Sequence, residues 1–539
     1  MAIIFQVSLL AFAYEWQATA ISADSIKKHV YILGHDSLQG RGTGTIGGAK
    51  AAQYIAGQLA KIGLRPIGDQ KTYFQSIPMH GSYALPGSRL IFHLNDSTHV
   101  LQINKNYLLY KTGAQTLIPQ PTPLVFVGYG IIAPEFDYND YQSIDVEGKI
   151  VIFLSGEPPS DDPAYFNGPY PTIYSYPESK QRIAISRGAK GSILIPSPRN
   201  EPAFSWERYV REFSLEDVTL AYSISANLSL IINPKVAEKL FRDTNVNLEA
   251  IFKQDSESKL SSFDLPGKIS FHGKFVEREF FAANVVAMLP GKNKQPDDSY
   301  LLISAHYDHL GIGPAVAGDS IYNGVFDNAV GVAGVIEIAR AFVKHDRKPL
   351  HSVIFFFPTA EEKGVLGSTY YTDHPIVPLY KTLAAINVDG LSMFDKFTEI
   401  VGIGAEYSSL GDQLQGLAQR LGLNCAPIPA AFISSETYAR SDQIAFAKAG
   451  IPAIAIAEGI GKAILSREES MQKLIDWMNN IYHTPFDDLN QPMNFEAAKQ
   501  HCEVIFYFCQ QLANLEEFPQ WKSGVPFINA RLQSIAEKR

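Results

Sequence analysis

Cysteine is scarce in this chain of 539 residues, which holds only Cys425, Cys502 and Cys509. Cys502 and Cys509 fall seven apart in a segment of helical periodicity, about 10.5 Å along a helix axis. A disulfide tolerates only about 4.4–6.8 Å between Cα atoms. Disulfides therefore do not hold this fold, and the pair reads as core thiols. No Cys-x-x-Cys spacing exists, which excludes a thiolate metal site; any metal must rest on histidine and carboxylates. Basic charge is also short, because 46 Lys and Arg against 55 Asp and Glu leave a net charge of −9 and a pI near 5.8. Such a surface does not seek phosphate, so nucleic acid is excluded as a partner. Nowhere does an apolar run reach the roughly 20 residues that cross a bilayer, and no membrane span is expected.

What is present begins with a short apolar run, Met1 to Ala13, followed by Ala18-Thr-Ala20. This resembles a secretory signal peptide with an A-x-A cleavage site, although it lacks a basic first segment and carries Glu15. Residues 1–20 are expected to be removed on export, which places the mature protein in the periplasm or outside the cell. No cysteine follows the run, so no lipoprotein anchor is expected.

At this length more than one core is expected. From Ser25 to about Leu64 the pattern is helical, broken by the glycine-rich stretch Leu38–Gly48. That stretch is not a phosphate-binding loop, because its lysine and Ser/Thr fall in the wrong places. A helix is expected over Ala49–Ile62, ended by Gly63. From about 76 to 275 the texture changes to short β-branched runs separated by Gly, Pro and Asn, such as Leu90–Leu94, Leu124–Gly130, Lys149–Leu154 and Gly191–Ile195. That is a β-rich region, interrupted by one helix at about Glu178–Arg187. From 276 to the end, strands (Tyr300–Ala305, Ser352–Phe357, Leu383–Asn387) alternate with helices such as the apolar Ala329–Val343. The alternation predicts an α/β fold, a mixed and mostly parallel sheet with helices on both faces.

The chemistry-bearing residues follow the ends of these C-terminal strands: His306 and Asp308 in Ala-His-Tyr-Asp-His-Leu-Gly, Asp327 in Val-Phe-Asp-Asn-Ala, the pair Glu361-Glu362, Asp389 in Asn-Val-Asp-Gly, and His483 in Tyr-His-Thr-Pro-Phe-Asp-Asp. Ligands of open α/β sheets collect beyond the carboxyl ends of the strands. Taken singly, each residue has a plainer use: His306 a loop residue, Glu361-Glu362 a solvated pair, Asp389 the start of a turn and Asp327 a helix N-cap. Together they offer two imidazoles and several carboxylates from five segments, a donor set suited to zinc. A carboxylate with two oxygens can bridge two cations, and of two adjacent glutamates one can ligate while the other acts as a base.

These five motifs, in this order, resemble the co-catalytic zinc aminopeptidase family, over 283–515 and, for the start of the same domain, 25–75. The resemblance implies two Zn²⁺ per chain: His306 and Asp389 on one, Glu362 and His483 on the other, and Asp327 bridging. It implies Glu361 as general base, Asp308 as the residue orienting His306, and Tyr438 as a donor to the oxyanion. Tyr438 lies in Tyr-Ala-Arg-Ser-Asp-Gln, where the family carries His at the position of Gln443. The substrates implied are peptide or protein N-termini. Phe126-Val-Gly-Tyr-Gly-Ile, Tyr138–Tyr141, Val146–Ile152 and Arg187–Leu194 are similar to a protease-associated domain, expected over about 118–270 within the β-rich insert 76–275. Residues 21–75 and 276–539 then form the peptidase domain.

Three other readings stay open at this level. A di-zinc carboxypeptidase or dipeptidase requires a cationic clamp, for which Arg440 is the candidate beside a motif. A single-zinc glutaminyl cyclase fits less well, because both half-sites and the insert are present. A non-catalytic receptor of the same architecture is disfavoured, because all five ligands and the base are retained.

Overall fold

The computed structural model describes residues 19–94, 97–110, 116–169, 171–200, 205–224, 227–242, 244–293, 298–429, 432 and 438–538. The leader expected at 1–20 lies almost wholly outside the described residues.

Strands that are apolar at every position must be covered on both faces, and the central strands show how. In Tyr300–Ser304, Leu301 and Ile303 enter one core while Tyr300 and Leu302 enter another. In Ser352–Phe357, Val353, Phe355 and Phe357 take the first core and Ile354 and Phe356 the second. The first core is closed by helices Ala23–Leu33, Ile46–Ile62, Val330–Lys344 and Phe495–Leu512. The second is closed in part by Gln443–Lys448. Helices thus lie on both faces, as the alternation predicts.

The sheet is ten-stranded and mixed. Its parallel part is narrower than expected: Ser352–Phe357, Tyr300–Ser304, Thr382–Asn387 and Ala453–Glu458 run parallel in that spatial order. Outside them the long strand Phe275–Leu289 pairs antiparallel with Ser352–Phe357 on one side and with Phe74–Ala84 on the other. Asp217–Leu220 closes that edge against Phe74–Ala84. Asp217–Leu220 and all but the first two residues of Phe74–Ala84 fall within the stretch 76–275 yet belong to the larger sheet.

A second, eight-stranded sheet draws its strands from residues 89–272 and has its own apolar cores on both faces. Its centre is the parallel run Leu117–Val127, Ile150–Leu154, Gly191–Ile195 and Leu228–Ile232. The helix expected near 178–187 is Pro177–Ser186, with proline at its first turn.

Helix Ile46–Ile62 starts three residues before the expected Ala49, because Thr45 caps it by accepting from Gly48 N–H. It ends at Gly63, whose left-handed backbone (φ 89°) lets its amide reach Ala60 and Leu59 carbonyls. Cys502 and Cys509 are buried and unpaired in helix Phe495–Leu512.

Candidate metal centre

Three of the four parallel strands end at turns that deliver side chains to one place. His306 follows Tyr300–Ser304, Glu361 and Glu362 follow Ser352–Phe357, and Asp389 follows Thr382–Asn387. Left-handed residues at Ala360 and Gly364 tighten the turn that carries the two glutamates. Asp327 lies in a wide turn, Val325–Ala329, just before helix Val330–Lys344. That turn is held by Asp487, whose carboxylate accepts from the amides of Phe326 (2.8 Å) and Asp327 (3.0 Å). Arg41, fully buried, ties the glycine-rich loop to the pocket wall by donating to the carbonyls of Leu33, Tyr307, Asn323 and Gly324.

The two oxygens of Asp327 face different imidazoles. Oδ1 lies 3.3 Å from Nε2 of His306, and Oδ2 lies 3.3 Å from Nε2 of His483. His306 Nε2 is also 3.3 Å from Asp389, and His483 Nε2 is 3.3 Å from Glu362. Six of the eight residues singled out from the sequence (His306, Asp327, Glu361, Glu362, Asp389, His483) thus meet in one place. Donor atoms of His306, Glu361 and Asp389 lie within 4.8 Å of one another, as do those of His309, Asp327 and Glu362.

Asp308 does a different job from the expected one. The His306 ring nitrogen Nδ1 meets the backbone carbonyl of Asp308 at 3.2 Å, while the nearer carboxylate oxygen is 3.9 Å away. The Asp308 carboxylate instead accepts from the amide of Glu361 (3.1 Å) and from the hydroxyl of Thr43 (3.1 Å). Tyr438 is not brought to the pocket. Its hydroxyl donates to the carbonyl of Ala453, and its ring is buried beside Tyr407 and Phe527. An aromatic ring gains more from that core than from a polar cleft, so the oxyanion role expected of Tyr438 is not supported. Gln443 is likewise structural: it accepts from the Asn387 side chain and donates to the carbonyl of Tyr438.

His309 was overlooked in the sequence although it stands in the same motif as His306. It is fully buried, meets Glu362 through Nδ1 at 2.6 Å, and leaves Nε2 without a hydrogen-bond partner. The signal is the second histidine of Ala-His-Tyr-Asp-His, directly after Asp308.

So many buried carboxylates shift one another. Burial, reinforced by Glu362, Asp389 and Asp442 against the pull of His306, pushes Glu361 well above the usual carboxylate range. Burial also raises Asp442 to about 7 and Asp487 to about 6. Asp327 goes the other way: burial opposes its charge, but the bonds from His306 and His483 outweigh it and hold it well below the usual range. Despite burial, the imidazole of His306 is raised well above its usual range by the carboxylates around it, and that of His483 by Tyr482 and then by Glu362, Asp327 and Glu212. His483 Nε2 is buried and without a well-formed hydrogen bond, while two carboxylate oxygens face it. A divalent cation relieves that arrangement, and the N and O donor set fits zinc.

Residues 284–509, which include every residue of the pocket named from the sequence, match peptidase family M28. The match is confined to the C-terminal part of the chain. Over 111 residues the chain is 33% identical to a vacuolar membrane protease of Saccharomyces cerevisiae, which takes in 21% of this chain and 10% of that one. To a vacuolar membrane protease of Yarrowia lipolytica it is 29% identical over 125 residues, 23% of this chain and 11% of that one. The chain therefore spans about a tenth of the length of the curated relatives it matches. No helix among its described residues is long and apolar enough to cross a membrane. An aminopeptidase from Aneurinibacillus sp. strain AM-1 is similar in structure, with a TM-score of 0.54 at 18% identity, covering 92% of this chain and 95% of that one. That coverage extends the shared fold beyond residues 284–509 to the smaller sheet.

Proposed function

We propose that this protein is a metallo-exopeptidase that removes residues from the N-termini of peptides and holds two zinc ions in the pocket. The observation that carries the proposal is Asp327, whose two oxygens face His306 and His483 separately. His306 and Asp389 would hold one cation, Glu362 and His483 the other, with Asp327 shared. Two such ions polarise a carbonyl and acidify a water between them.

The chain's own groups supply the remainder. Glu361 stands in the same pocket as His306 and Asp389. Its raised proton affinity suits a base that takes the proton of the attacking water and returns it to the leaving amine. Asp308, through the Glu361 amide, fixes the backbone that carries this base. The pocket's carboxylates also suit a free α-ammonium, which favours action at an N-terminus.

The carboxypeptidase reading asks Arg440 for a carboxylate clamp. The Arg440 charge bears on Glu212 and Tyr482, the two residues that flank His483. The receptor reading is disfavoured because all five ligands and the base are present. We further propose that the inserted β-rich region is a protease-associated domain shaping access to the pocket, and that the protein is exported after cleavage behind Ala20.

Release of free amino acid from a panel of amino-free, amino-blocked and carboxyl-blocked peptides tests the main proposal. Cleavage of amino-free peptides whether or not the carboxyl is blocked is expected. Turnover of amino-blocked peptides alone would overturn it.

A further inference from the structure

The inserted region sends one helix across to the metal centre. Helix Trp206–Phe213 lies between strands of the smaller sheet in sequence, but directly after it Asp217–Leu220 joins the edge of the larger sheet. The crossing is fastened by Glu216, which binds Arg278 of the long strand Phe275–Leu289 through both its oxygens at 2.6 Å. The helix begins at a Ser205 cap on Arg208 N–H. One turn later its Glu212 carboxylate points at His483.

Oε1 of Glu212 is 3.5 Å from Nδ1 of His483, the ring nitrogen opposite the one that faces Asp327 and Glu362. The same oxygen accepts from Nε of Arg208 at 3.0 Å. The Arg208 guanidinium lies 5.6 Å from the ring centroid of Tyr482, and Tyr482 stacks on His483 with centroids 3.8 Å apart and planes 22° apart. The helix therefore grips His483 twice, at its Nδ1 edge through Glu212 and at its face through Arg208 and Tyr482. The side chains of Glu212 and His483 are only 13% and 11% exposed, so solvent does little to screen this pair. A carboxylate behind a metal-binding imidazole fixes its tautomer and ring orientation and strengthens it as a donor. At 3.5 Å the Nδ1 contact is within ion-pair reach and just beyond a well-formed hydrogen bond.

We infer that Glu212, carried by the inserted region, is a positioning residue of the metal centre: it holds His483 so that Nε2 is presented to the cation shared with Glu362 and Asp327. The insert is then a structural part of one metal half-site as well as a neighbour of the cleft. The inference rests on the two-zinc reading above.

The test is zinc binding by metal-free full-length protein, followed by chelator competition, for wild type, Glu212→Gln and the exposed helix neighbour Glu207→Gln. Wild type and Glu207→Gln are expected to bind two zinc ions alike. Glu212→Gln keeps the shape but loses the charge, and is expected to bind one zinc normally and the other about 10–100-fold more weakly. Its kcat should recover in excess zinc with KM little changed. Wild-type affinity at both sites in Glu212→Gln overturns the inference and leaves the peptidase reading standing. A wild type that binds no zinc overturns both. Should Glu212→Gln fail to fold, Glu212→Asp, which withdraws the carboxylate from His483, is read the same way.

Discussion

The carboxylate of Asp308 accepts a hydrogen bond from the backbone amide of Glu361 at 3.1 Å, joining the turn after one central strand to the turn after its neighbour. The bond fixes the main chain of the proposed base rather than its side chain. Asp308 is fully buried and also accepts from Thr43. Asp308→Ala is therefore expected to lower kcat by about 10–100-fold, the usual range for residues that support a metal site, with KM and zinc content little changed. Steady-state kinetics beside elemental analysis check this; a wild-type kcat removes Asp308 from the mechanism.

Adjacent glutamates leave the backbone in different directions, so only one of the pair is expected to ligate. Glu361→Gln should keep its zinc and lower kcat by about 10²–10⁴, the usual contribution of a general base. Glu362→Gln should lose zinc first and regain activity when zinc is added in excess. Rescue of Glu361→Gln by zinc would reverse the two roles.

Purified protein is expected to carry close to two zinc ions per chain, and dialysis against a chelator to abolish peptide hydrolysis until zinc is restored. Full activity in chelator, with no bound metal, is incompatible with the proposed chemistry.

Away from the pocket, His501 gives a pH dependence of stability. It is buried, accepts from Ser392 N–H through Nδ1 and meets the Ile456 carbonyl through Nε2, both at 3.0 Å. Burial lowers its pKa to about 4. The unfolded chain binds this proton below about pH 6.5 while the folded chain refuses it, so the stabilisation is complete above 6.5 and is lost as the pH falls toward 4. Between pH 7.5 and pH 5 the wild type should lose about 2 kcal/mol more than His501→Asn, read from urea midpoints. Parallel losses in the two proteins would show that His501 is protonated in the fold.

Mass spectrometry of the protein from its native host is expected to find an N-terminus near Ile21. An intact Met1 on cytosolic protein would defeat the export proposal.

The sequence by itself determined the alternation of strands and helices, because strands buried on both faces are apolar throughout, as in Val353–Phe357. It also determined which residues could form the centre, since His306, Glu361, Glu362 and Asp389 each stand just beyond such a strand. What it could not decide was which of them touch. Asp487 grips the amides of Phe326 and Asp327 from 160 residues away, and Glu212 reaches His483 from a region whose local pattern is mainly that of strands. Tyr438 stands in a motif that suggests the cleft, yet apolar burial draws its ring into the core. Periodicity records which face of an element is buried, a local property. The pairing of polar groups across elements depends on how turns and sheets bring distant segments together, and only the tertiary structure fixes that.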